Sequence, residues 1–297
     1  MRTSTRHGGA AVRRTLVCAA WATLAGGAGF GCLEAAEPNS GHGSSAALRQ
    51  DAQRHSPLQR LTPNGRAATQ RVLDDVAVFR RLPSQTIECD AEMYGFLIEN
   101  PDLVINIWEV MGVTKVSLRK TGPSSFHLDD GNGTVGDLHY IYRSPTQHVI
   151  FCEGTYTGSL FPRAIRGRCL ISLRSTPHHD AQGRALVQCK LDSFVQMDNL
   201  GVEMFARTFH NVLGGIADHN FREVAGFVAS VSQAAESAPE NLHQIAERCR
   251  RVPPTTTQRF VAISDRIFED AATTTRSTGQ PPRTAMVRRP FSDDAQR

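Results

Sequence analysis

Lysine is nearly missing from this chain of 297 residues: Lys115, Lys120 and Lys190 are its only three, against 30 arginines. With 29 acidic residues facing 33 basic ones, the formal charge is only +4, too small to argue for a nucleic-acid partner. No apolar run reaches the ~20 residues that a spanning helix needs, so a multi-span membrane protein is not expected. The cysteines show no Cys-x-x-Cys or zinc-ribbon spacing. His210 and His219 are nine positions apart, about 2.5 helical turns, which sets them on opposite faces and excludes an HExxH-type pair. His178-His179-Asp180 reads as a solvated turn. GxSxG, SxxK, Walker A and dinucleotide fingerprints are all missing. Asp129 to Thr134 lacks the acidic spacing and terminal Glu of a calcium loop and reads as a hairpin turn rich in Asp-Gly and Asn-Gly. No cofactor and no metal are therefore expected.

What is present begins with an address. Arg2, Arg6, Arg13 and Arg14 precede the first acid, Glu34, and flank the uncharged stretch Leu16 to Gly31. A basic start followed by a short apolar run and small residues describes a secretory signal over residues 1–36. Arg13-Arg14 resembles a twin-arginine start, and Cys32 after Gly31 resembles a lipoprotein site. The expectation is an exported protein, periplasmic, envelope-bound or secreted, with membrane association through its N-terminus. Residues 37–75, rich in Gly, Ser, Asn, Pro and Gln, read as a disordered linker. Residues 76–252 read as one folded domain and 253–297 as a mostly disordered tail. Within that tail Phe260, Ile263, Ile267 and Phe268 recur at helical spacing, enough for one short amphipathic helix. Once Cys18 and Cys32 are set aside, five cysteines remain, an odd number. They read first as small buried hydrophobes, with a disulfide between neighbouring strands as the alternative.

Within the domain, Leu82 to Cys89 suggests a first strand. Asp90 can cap a helix over Ala91 to Ile98, and Leu103 to Val110 suggests a second, after the break at Asn100-Pro101. From Val113 the period becomes two, with Val116 and Leu118 on one face. Further strands follow at 126–130, 138–142, 148–156, 168–175 and 185–196, too closely spaced for helical crossovers and so antiparallel. Between Asn199 and Glu236 no proline occurs, and the apolar positions keep a helical period through Gly214-Gly215. A kink or a close helix–sheet contact would account for that pair, which costs roughly 2 kcal/mol of helix propensity.

One strand, two short helices, a series of antiparallel strands and a long C-terminal helix form a recognisable order. The stretch Ile87-Glu88-Cys89-Asp90-Ala91-Glu92-Met93-Tyr94-Gly95-Phe96-Leu97, then Trp108, and the terminal helix from about Leu200 carry the comparison. Over about residues 82–233 the chain resembles the START-like (SRPBCC) superfamily of lipid-transfer, polyketide-cyclase and birch-pollen-allergen-like proteins. That resemblance implies an α+β helix-grip fold, a curved antiparallel sheet gripping the long helix. The gap between them is suited to an apolar ligand. The superfamily has no invariant catalytic motif to carry over. The expected function is binding of a lipid or other hydrophobic small molecule by a monomer. Phe205, Phe209, Val212 and Ile216 would line the gap from the helix, and Phe151, Tyr156, Leu170 and Phe194 from the sheet, with Tyr140 and His139 as polar pocket groups. The alternatives are a cyclase- or hydratase-like enzyme using Tyr140, His139 or Glu153 for acid–base work, and a structural envelope protein with a filled core. Arg163, Arg166 and Arg168, with Arg143 or Arg174 alongside, form a basic cluster that could attract an anionic head group.

Overall fold

The computed structural model describes residues 45–157, 164–197 and 202–278, with backbone alone for 202–214, 216 and 274–278. The signal segment, Cys32, Arg163 and the end of the tail lie outside the described residues.

Helices α1 (Ser45–Arg54) and α2 (Pro63–Asp74) open the structure, joined through a 3₁₀ turn at Leu58–Arg60. They occupy the stretch expected to be a disordered linker, which corrects that expectation. Thr62 caps α2, its Oγ1 accepting from Gly65 N at 3.2 Å, and Pro63 takes the first helical position, where its missing N–H costs nothing. The larger cause is tertiary. Ala52, Val72 and Leu73 are buried against Val149, Phe151, Leu170 and Phe194 on one face of the sheet.

Strands β1 (Val78–Arg81) and β2 (Gln85–Glu88) both pair with the last strand; β2 lies within the first strand expected, and β1 precedes it as an additional segment, with Pro83 between them. Helix α3 (Ala91–Glu99) is capped as expected, with Asp90 Oδ1 accepting from Glu92 N and Met93 N, both at 3.0 Å. Helix α4 (Pro101–Val110) follows at once. Then come β3 (Ser117–Gly122), β4 (Ser125–Asp129), β5 (Thr134–Ser144), β6 (Gln147–Tyr156), β7 (Ile165–His179) and β8 (Ala185–Met197). The β4–β5 turn needs Gly131 at φ 67° and Gly133 at φ 104°, a region that L side chains avoid. Asp130 Oδ1 holds that turn from inside, accepting from Asn132 N and Thr134 N.

The strands form one antiparallel sheet in the order β1-β8-β7-β6-β5-β4-β3, with β2 also on β8. The first strands thus neighbour the last, and the sheet curves around α5 (Val202–Ser237). Helices α6 (Pro239–Arg248) and α7 (Pro254–Thr278) close the description. Helix α7 buries Phe260, Ile263 and Ile267 in the same core as α3, α4 and α5, so the folded unit continues well past residue 252, a second correction. Arg266 fastens α7 to the start of α3 through Asp90 at 2.8 Å and Glu92 at 2.9 Å, and Arg259 adds a second bond to Glu92. Helix α5 runs without a break through Gly214-Gly215. Gly215 lies on its exposed side with nothing within 4 Å of where a Cβ would stand, so close contact with the sheet is not its reason. The architecture is the helix-grip α+β fold, extended by a helical pair over the outer face and by α6 and α7 in the core shared with α5.

Candidate functional site

Alternation along the strands divides the sheet into two faces. Leu138, Tyr140, Cys152, Cys169, Ile171 and Val195 share a core with Ala217, Phe221, Ala225 and Val228 of α5, which defines the gripping, concave face. Two residues further along each strand, Gly136, Gly154 and Gly167 stand on that same face. They are direct neighbours in register, Gly136 beside Gly154 and Gly154 beside Gly167. Leu128 flanks the row on β4 and Met197 on β8. One end of the concave face therefore carries no side chain across three adjacent strands, between Leu128 and Met197. Helix α5 begins five positions after Met197, so its first half starts from this end of the sheet.

The structure separates the residues expected to line the gap. Tyr156 is buried on the concave face, in register with Thr134 and Ile165 just beyond the glycine row. Tyr140 is also concave, with its hydroxyl donated to the Ile98 carbonyl at 2.6 Å. Phe151, Leu170 and Phe194 point the other way and pack under α1 and α2, Phe194 meeting Phe79 at a ring distance of 5.0 Å. They are core of the outer face, not pocket. The reason is that α2 buries the outer face too, so apolar residues on both faces of β6–β8 looked alike. His139 is on the outer face as well, its Nδ1 2.9 Å from Ser125 Oγ. Glu153 is exposed on that face beside Arg168. Tyr140 is thus separated by the sheet from His139 and Glu153, so of the groups considered for acid–base work only Tyr140 faces the concave side. The side chains of Phe205, Phe209, Val212 and Ile216 lie outside the description.

The five described cysteines are all buried free thiols. Burial pushes Cys89 up to about 12 and Cys169 up to about 11, so neither carries a reactive thiolate near neutral pH. Cys189 Sγ donates to the Tyr94 hydroxyl at 3.2 Å, and that hydroxyl is 2.6 Å from Ser175 Oγ. Burial also raises Tyr94, and this closed chain of polar atoms ties α3 to the sheet.

On the outer face a groove of about 320 Å³ crosses β4–β7, lined by His127, Asp137, Glu153, Arg166 and Arg168, with the backbone of Gly136, Gly154 and Gly167 also in its lining. His127 Nδ1 lies 2.8 Å from Asp137 Oδ1, and Arg168 Nε 3.6 Å from Glu153 Oε2. The charges alternate across the strands and pair with one another, as on a solvated sheet face. Of the expected arginine cluster, Arg166 and Arg168 share this groove and Arg163 lies outside the described residues, while Arg174 binds Asp192 at 3.1 Å and Arg143 stacks on Tyr140.

Comparison with known proteins finds similarity among solved structures alone. No protein-family model and no curated protein matches the chain in sequence. Among solved structures, a conserved protein from Geobacillus kaustophilus is similar at 13% identity and a TM-score of 0.35, over 50% of this chain and 93% of that one. Ara h 8.0201 is similar at 10% identity and a TM-score of 0.32, over 52% and 99%. Norcoclaurine synthase from Thalictrum flavum, in complex with dopamine and hydroxybenzaldehyde, is similar at 10% identity and a TM-score of 0.33, over 52% and 88%. The likeness is one of fold, and no residue role is carried over from these proteins. Strand order and the gripped helix are those of the helix-grip α+β fold.

Proposed function

We propose that this protein binds an apolar small molecule, lipid-like in character, between the concave face and the first half of α5. The observation that carries the reading is the bare row Gly136, Gly154, Gly167, set between Leu128 and Met197. Glycine weakens a strand interior, so three in register call for a reason such as close approach of another group. An apolar ligand seated against that backbone is such a group, and Tyr156 and Ile165 offer apolar contact at one end. Phe205, Phe209, Val212 and Ile216 recur at helical spacing in the half of α5 that starts there. Binding gains about 25 cal/mol per Å² of apolar surface buried, less the cost of ordering both partners. The basic, then apolar N-terminal sequence supports an exported setting, periplasmic or at the envelope.

The test is titration with 1-anilinonaphthalene-8-sulfonate, a probe whose emission rises in apolar surroundings. The wild-type chain is expected to bind it saturably. Gly154→Phe fills the centre of the row and is expected to abolish that binding while thermal unfolding stays cooperative. Equal binding by the variant overturns the reading.

A further inference from the structure

We propose that Arg143 and His148 form a notch for a small oxyanion, a carboxylate or a phosphate, beneath the elbow where α3 meets α4. The inference is independent of the apolar site, which lies at the other end of the same strands.

Arg143 and His148 are direct cross-strand partners on β5 and β6, close to the turn that joins them. His148 is 3% exposed, and neither of its ring nitrogens has a hydrogen-bond partner. The Arg143 guanidinium lies 4.3 Å over the Tyr140 ring, with Nε and Nη2 buried and without an acceptor. Tyr140 also meets the His148 ring edge-on at 6.2 Å. Two nitrogen-bearing side chains therefore converge on one aromatic ring with their polar edges unanswered. Buried donors are almost always satisfied, and a charged one left alone is costly, so such a cluster points to a missing acceptor.

The acceptors nearby are already spent. The Ile98 carbonyl takes the Tyr140 hydroxyl at 2.6 Å. The Phe96 carbonyl takes both Asn100 N at 3.1 Å and Asn100 Nδ2 at 2.9 Å. Ser144 Oγ is bonded to Gln147 at both its donor and its acceptor. The closest carboxylate is Glu99, with Oε1 3.9 Å from His148 Nε2, outside hydrogen-bond reach and half exposed to water. Asp102, on the next helix, keeps a buried Oδ1 without a hydrogen-bond partner and has Lys120 as its offsetting charge, and it makes no hydrogen bond to Arg143 or His148.

The chemistry of the ligand follows from these donors. Stacking on Tyr140 occupies the face of the guanidinium and leaves its edge free, and that edge presents Nε and Nη2 as the fork that grips two oxygens of one anion. Burial holds His148 neutral, so it adds one further N–H donor to the same anion. A neutral hydroxyl or amide would fill the hydrogen bonds and leave the arginine charge uncompensated. Glu99, itself an oxyanion standing just outside the notch, competes for it.

The test uses the full chain, with acetate and inorganic phosphate as separate probes, read from the ring resonances of His148 in an NMR titration. A saturable shift with acetate assigns a carboxylate ligand, one with phosphate assigns a phosphoryl ligand, and either supports the notch. Arg143→Lys keeps the charge and loses the fork, so the affinity is expected to fall about tenfold or more. Glu99→Gln removes the competitor from a half-exposed position and is expected to tighten binding. Should Arg143→Lys fail to fold, the Glu99→Gln titration decides alone. A ring resonance unmoved by both anions, or anion affinities unchanged in Glu99→Gln, overturns the proposal.

Discussion

Arg81 Nε lies 2.6 Å from Oδ1 of Asp192, a carboxylate that is 1% exposed on the outer face of the sheet. Arg81 Nη2 reaches Asp192 Oδ2 at 3.0 Å and Asp51 of α1 at 2.9 Å, while Arg174 reaches Asp192 at 3.1 Å. One buried acid thus pairs with two arginines, and Arg81 pins α1 to the sheet through its second acid, Asp51. Asp192→Ala leaves two partly buried cations facing each other and is expected to cost about 3 kcal/mol in urea denaturation. Asp51→Ala removes a partner that is a third exposed and is expected to cost under about 1 kcal/mol. Asp51 is held below its ordinary 3.8 by its bond to Arg81. Its contribution is present above that ordinary value and is lost as pH falls through the lower, folded-state value.

Phe194 sets the outer core apart from the proposed pocket. Phe194→Ala is expected to cost about 3 kcal/mol, since the ring is 1% exposed beneath α2 and the hole cannot fully collapse. Apolar-probe affinity, measured on the folded variant, is expected to stay unchanged, because the ring faces away from α5.

Burial on both faces also explains what the sequence could and could not convey. The turn glycines, the Asp90 cap and the period-two strands were legible because each is a local signal. Which face of β6–β8 grips the helix was not, because Phe151, Leu170 and Phe194 are as apolar as Cys152, Cys169 and Val195. That sameness comes from α1 and α2, whose polar composition hid two short helices stabilised by Val72, Leu73 and Ala52 rather than by propensity. The Thr62-Pro63 start was a capping signal that could have revealed α2. The glycine row could not be read without the register, since Gly136, Gly154 and Gly167 are distant in sequence and meet only across strands.

The cysteines test the solidity of the concave core. Cys89, Cys152, Cys169, Cys189 and Cys249 are all buried, and burial raises Cys249 as well, to about 11. None of the five is expected to react with Ellman's reagent at pH 8 in native buffer, and all are expected to react in guanidinium. Peptide mapping of the labelled cysteines checks this site by site.

His148 gives the fold a pH slope. Burial lowers it from its ordinary 6.5, Glu99 pulls the other way and Arg143 adds to the lowering. The unfolded chain therefore takes up the proton first, and stability falls as pH drops through about 6.5 toward the folded-state value. His148→Gln is expected to flatten that part of the curve, as thermal midpoints between pH 5 and 8 will show.

The central claim is that the space over the glycine row holds a ligand. Native mass spectrometry of the full chain, purified without detergent, measures this most directly. The expected spectrum contains a second species, heavier by one small apolar compound, which organic extraction releases and which is absent from Gly154→Phe. A spectrum of bare protein alone, remaining bare after incubation with a mixture of fatty acids and sterols, would contradict it.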